Sequence, residues 1–102
     1  MLGNLGEMAK MFSRVKDIQR GMKEYRDEMP RLEFTAASSD GSVKVTVSGD
    51  MVVKRIDFAD AAAAAPKASI IEAVNAANML AKSALRDKMR ELSGGIDLPG
   101  LM

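Results

Sequence analysis

Apolar side chains at Met8, Met11, Val15, Ile18, Met22, Tyr25 and Met29 follow one another at alternating gaps of three and four residues, an unbroken heptad row. Leu5 and Phe12 widen it on either side. Pro30 lacks an amide hydrogen and disfavours helical geometry at Met29, so the pattern predicts a helix over residues 4–29, with Asn4 placed to cap its first turn. At roughly 1.5 Å per residue such a helix is nearly 40 Å long. Gly21 falls off the row, at a cost of about 1 kcal/mol relative to alanine. A close approach by another backbone would explain it, but a glycine of no consequence is the plainer reading.

After Pro30 the period changes to two. Leu32, Phe34 and Ala36 alternate with Glu33 and Thr35, and Val43, Val45 and Val47 alternate with Lys44, Thr46 and Ser48. Two half-buried strands follow, joined by the turn residues Ser38-Ser39-Asp40-Gly41. Gly49-Asp50 reads as a two-residue hairpin loop, glycine first as a type II′ turn prefers, leading to a third strand over residues 51–58. Its alternation is imperfect: Val53 and Ile56 are three apart, and Lys54 shares a parity with Ile56 and Phe58. A bulge reconciles the pattern; a lysine guarding an edge strand is the rival explanation.

Residues 59–66 form an alanine-rich linker. Ser69 and Glu72 fit a capping box for a second helix over residues 67–93. Its stripe is Ile70, Val74, Ala77, Ala81, Leu85, Met89 and Leu92, and small Ala77 and Ala81 permit close packing. Ser93-Gly94-Gly95 ends it, leaving an apolar tail over residues 94–102 that is broken by Pro99 and Gly100 and is either docked or mobile.

The expected fold class is α+β, a long helix, a three-stranded antiparallel meander and a second long helix in one domain of 102 residues. Strands of about seven residues span only some 23 Å, so the sheet covers about half of each helix. Every large apolar side chain left in water forgoes about 1.5–3 kcal/mol. Several of them rival the whole stability of a small domain. A two-fold homodimer is the economical cover, with Met8, Met11, Val15, Ile18, Met22 and Tyr25 as its expected interface.

Composition narrows the chemistry. There is no cysteine and no histidine, which excludes disulfides and thiolate metal sites and removes the commonest general base and transition-metal ligand. Neither a basic-then-apolar leader nor a long apolar run is evident, so a cytoplasmic protein outside the membrane is expected. Net charge is only +1, but the cations concentrate on the helices. Lys16, Arg20 and Lys23 form a row on the first, and Lys82, Arg86 and Arg90 recur every four residues on the second. Such rows suit the regular negative charge of a DNA backbone. The plainer alternative is a pair of solvated faces, partly neutralised by Asp17, Glu24, Asp87 and Glu91.

The aromatics Phe12, Tyr25, Phe34 and Phe58 fall mostly on apolar faces, as core residues do. Methionines within the heptad row read as flexible gap-fillers and not as metal ligands. No nucleophile–base pair, phosphate loop or dinucleotide fingerprint is present. We therefore expect no enzyme, no cofactor, no metal and no small-molecule substrate. Asn75 and Asn78, polar intrusions on the second helix, read as structural.

Glu72-Ala73-Val74-Asn75-Ala76-Ala77 resembles the A-x-N-x-A helix of the YbaB/EbfC family of bacterial nucleoid-associated proteins. Met89-x-x-Leu92-x-Gly94-Gly95-Ile96-x-Leu98-Pro99-Gly100-Leu101 resembles that family's closing signature. Leu5-Gly6-x-Met8-x-x-Met11 and Gly41-x-Val43-x-Val45-x-Val47-x-Gly49 agree in order and spacing. Residues 59–66 depart from it, since the family commonly has an acidic, proline-containing stretch there. The resemblance implies a tweezer-shaped homodimer with paired sheets and projecting helices. It also implies duplex DNA binding of modest sequence preference, in nucleoid organisation or gene regulation. The competing reading is a protein-interaction adaptor that presents its Met-rich helix or its tail to a partner.

Overall fold

The computed structural model describes residues 2–60 and 66–94; the linker alanines and the tail beyond Gly94 lie outside the described residues. Helix α1 (Leu2–Glu28) is followed by a 3₁₀ turn (Met29–Arg31), strands β1 (Glu33–Ala37), β2 (Val43–Ser48) and β3 (Val53–Phe58), and helix α2 (Lys67–Leu92). The strands form one antiparallel sheet in the order β1-β2-β3, so the expected α-β-β-β-α architecture is present.

The ends of the elements follow from local chemistry. α1 begins ahead of Asn4, which lies inside the helix and not at its first position. Pro30 sits within the 3₁₀ turn, where the Leu32 N–H donates to the carbonyls of Glu28 and Met29 at 3.3 and 3.2 Å. Gly41 takes φ +74° in the β1–β2 turn and Gly94 φ +71° after α2, both in the left-handed region that glycine enters freely.

β2 is the central strand, and Val43, Val45 and Val47 are almost fully buried. They pack against Ala73, Ala77 and Ala81 of α2, with Phe34, Ala36, Met51, Ile70 and Val74 around them. Alanines every four residues give α2 a smooth stripe that lets it lie close on the valines. Ala73 belongs to this stripe, although the larger apolar residues drew the sequence pattern past it.

Val47 pairs with Val53 and Thr46 with Arg55, so Lys54 is the extra residue of a bulge in β3. The bulge restores Val53, Ile56 and Phe58 to the core face of the sheet, opposite Val47, Val45 and Val43. β3 is also an edge strand, and Lys54 and Arg55 reach across to Glu33 of β1 at 4.0 and 3.4 Å. The bulge accounts for the broken alternation, and the strand that carries it is also an edge.

Three expectations are corrected. The β2–β3 connection is a four-residue loop over residues 49–52, not a two-residue turn, and the residue with positive φ is Met51 at +66°. Gly49 serves another need. Its N–H donates to the Met29 carbonyl at 2.8 Å, and a Cβ there would stand 3.0 Å from that oxygen. Ser69 and Glu72 do not cap α2, whose N-cap is Pro66 with no side-chain bond; they bind the β1–β2 turn instead. Gly21, finally, is not incidental, because an added Cβ would run into the Leu92 side chain. That contact is where α1 and α2 cross.

The sheet lies under the N-terminal half of α2, while α1 rests mainly on α2 and the 3₁₀ turn and not on the strands. The molecule measures 72 × 21 × 15 Å, with a radius of gyration of 19.3 Å. A compact chain of this length would have about 13 Å. α1 is the projecting arm.

Candidate nucleic-acid interface

All six cations singled out by spacing, Lys16, Arg20, Lys23, Lys82, Arg86 and Arg90, are exposed. Arg20 is engaged by Asp17 three residues earlier. The other five make no ion pair with another described residue. On α2, Lys82, Arg86 and Arg90 share one side because four residues advance the helix by slightly more than a turn. The buried Ala77 and Ala81 mark the opposite side.

The two rows do not converge within one chain. At about 100° per residue, Lys16 and Lys23 point some 140–160° away from Gly21, the position that meets Leu92 of α2. Counted the same way, Lys82, Arg86 and Arg90 stand about 80–160° from Leu92. Each row therefore looks away from the helix–helix contact, and a straight duplex lying along one row would miss the other. Two further exposed cations, Lys10 and Arg14, flank Met11 near the end of α1. Their own four-residue spacing was the available signal, overshadowed by the longer row that follows.

The apolar row of α1 is divided. Tyr25 is only 8% exposed and Ile18, Met22 and Met29 are half-buried within the chain. Met8, Met11 and Val15, with Leu5 and Phe12, remain exposed on the projecting arm. A second uncovered apolar surface lies on β3, where Val53, Ile56 and Phe58 are 43, 40 and 44% exposed on the core face that α2 leaves open.

The electrostatics mark structural roles for the perturbed groups. Hydrogen bonds from the Ser38 and Ser69 hydroxyls and from the Ser42 amide and hydroxyl hold the Asp40 carboxyl well below the usual carboxylate range. Burial, and then the negative charge of Glu28, push the Tyr25 phenol up. Among the described residues, no cluster of three or more acidic, histidine or cysteine side chains is placed to hold a metal. None of the described helices is long and apolar enough to cross a membrane. Asn75 is exposed; Asn78 is half-buried, and its side-chain oxygen finds no hydrogen-bond partner among the described residues.

Comparison with known proteins meets this geometry from outside. The chain is 34% identical over 104 residues to a nucleoid-associated protein of Synechocystis sp., with 98% of this chain and 91% of the relative covered. It is 32% identical over 104 residues to one from Gloeothece citriformis, and 30% identical over 106 residues to one from Prochlorococcus marinus, at the same coverages. The model of the YbaB/EbfC DNA-binding family matches residues 4–96, from the arm of α1 through both strand pairs to the end of α2. On that match and these relatives, the chain belongs to the YbaB/EbfC DNA-binding family.

Proposed function

We propose that this protein binds duplex DNA as a homodimer in the bacterial nucleoid, gripping phosphates and carrying out no catalysis. The family description and the relatives' names support the coarse role. The observation that carries the finer one is the exposed row Lys82, Arg86 and Arg90 on the solvent side of α2, which makes no ion pair with another described residue. Successive members stand about 6 Å apart along the helix, close to two phosphate steps of about 3.4 Å along one DNA strand. The row can follow a backbone without reading bases, which fits binding of modest sequence preference.

The dimer contact is assigned to β3. Val53, Ile56 and Phe58 continue the core face beyond the reach of α2, and a second copy related by a two-fold axis would bury them against their own equivalents. The expected α1 interface is the weaker candidate, because Ile18, Met22 and Tyr25 are already engaged inside one chain. Lys16, Arg20 and Lys23 then act as a second row, brought to the same duplex only by the partner.

Charge reversal tests the assignment. Lys82→Glu combined with Arg86→Glu is expected to abolish retention of DNA in a gel shift while leaving sedimentation unchanged. Undiminished binding by this variant would remove α2 from the interface.

A further inference from the structure

The uncovered apolar row on the arm of α1 faces away from the rest of its own chain. Counted at about 100° per residue, Met8, Phe12 and Val15 stand about 120–180° round the helix from Gly21, where Leu92 of α2 packs. Leu5, Met8, Met11, Phe12 and Val15 are between 48 and 67% exposed, and all but Leu5 border an open groove of about 210 Å³. We propose that the occupant of this face is the same segment of a second copy. The two arms lie antiparallel about a two-fold axis level with Ala9 and Lys10, so that Met8 of each chain covers the partner's Met11.

The flanks of the row select both the partner and the direction. Met8, Met11 and Val15 form the seam, Leu5 and Phe12 border it on one side, and Glu7 and Arg14 border it on the other. In a parallel pair each flank meets the opposite flank of its partner, which sets Glu7 against an aromatic ring. In an antiparallel pair each flank meets its own equivalent. Leu5 then lies on the partner's Phe12, apolar on apolar, and Glu7 faces the partner's Arg14, acid against base. Glu7 and Arg14 are exposed, and neither makes an ion pair with another described residue. Within one chain they are seven residues apart, about 10 Å along the helix, too far to pair with each other. The other charges of the arm, Lys10, Lys16 and Asp17, stand more than about 100° from the middle of the seam and leave this match undisturbed.

The short seam sets the strength of the contact. A stable interface takes roughly 20–30 residues a side, and the arm offers far fewer. Pairing is therefore weak between free molecules and grows where copies are held close together, as along a duplex. Only this consequence rests on the proposed function: β3 makes the dimer, and the arm tips link one dimer to the next, bridging the DNA segments they hold.

The chain has no cysteine, so introduced cysteines report the pairing in the full-length protein. Met8→Cys and Met11→Cys chains, mixed in equal amounts and oxidised at high concentration without DNA, should give the mixed cross-link severalfold beyond random pairing. An excess of like-with-like cross-links would show a parallel pair and overturn the proposal. So would a yield no higher than that of Asp17→Cys, on the far side of α1. In the same mixture, Glu7→Arg and Arg14→Glu introduced singly should each lower the mixed yield severalfold, and introduced together should restore it. Rescue of this kind requires contact between chains; a double variant as poor as the single ones would contradict the assigned register. Sedimentation of the cross-linked material separates this proposal from the β3 dimer. Particles of four chains or more are expected from the two contacts together, whereas particles of two would uphold the arm contact and remove the one on β3.

Discussion

The Ser69 hydroxyl donates to Asp40 Oδ2 at 2.6 Å, tying the first turn of α2 to the β1–β2 turn across 29 residues of sequence. Asp40 Oδ1 accepts at the same time from the Ser38 hydroxyl at 2.6 Å and from the Ser42 hydroxyl and amide at 2.7 and 3.0 Å. Glu72 adds a bond from the Ser39 amide. The turn and the helix start are one polar unit, and it sets where α2 lands on the valine face.

Acid should loosen this unit. The folded-state pKa of Asp40 lies below its ordinary value of 3.8, so its contribution is complete above that value and disappears as pH falls below it. Ser69→Ala is expected to lower the thermal midpoint at neutral pH, with the penalty shrinking as pH drops through the carboxylate range. A penalty independent of pH would show that Ser69 matters only for packing.

Gly21 predicts a size-dependent defect. Gly21→Ala gains about 1 kcal/mol of helix propensity but displaces the tip of the Leu92 side chain, and should be near neutral. Gly21→Val has no room and should destabilise by about 1–3 kcal/mol. Adding Leu92→Ala should recover part of that loss, a non-additivity measurable by urea unfolding.

At Gly49 the neighbours are backbone atoms, Met29 O at 3.0 Å and Met29 Cα at 3.1 Å from an added Cβ. Neither can rotate aside. Gly49→Ala is therefore expected to cost about 1–3 kcal/mol, more than Gly21→Ala, although both add one methyl group.

Tyr25 is the sole tyrosine, so its phenol can be titrated cleanly by ultraviolet absorbance. Burial raises its pKa above 10.0, and the resulting stabilisation is complete below that value and lost as pH rises through the folded-state pKa. Titration of the native protein should lag that of the urea-unfolded chain. Coincident curves would place Tyr25 in water.

These sites show what periodicity carries and what it omits. Val43, Val45 and Val47 announced a strand because alternate burial leaves a two-residue signature, and the offset between Val53 and Ile56 announced the bulge at Lys54. Ser69 and Glu72 misled because a capping box and a tertiary clasp use the same side chains at the same spacing; only the position of the β1–β2 turn distinguishes them. Gly49 misled similarly, since close backbone approach and positive φ both select glycine. Within the candidate interface, the spacing of Lys82, Arg86 and Arg90 was legible along the chain. The divergence of that row from Lys16, Arg20 and Lys23 was not, because it depends on how α1 and α2 cross at Gly21 and Leu92.

The β3 surface yields a separate expectation. Ile56→Asp places a charge where the second copy would pack, at a position 40% exposed within one chain. Sedimentation should show a folded monomer, with circular dichroism near that of the parent. A variant that stays dimeric would move the contact elsewhere, the α1 arm being next.

The central claim, a grip on phosphates through helix-borne cations, is tested most directly by the salt dependence of DNA affinity. If about six phosphates are neutralised, log affinity should fall against log salt with a slope near −5, and nearly equally on duplexes of unrelated sequence. An affinity that barely changes with salt would contradict the account.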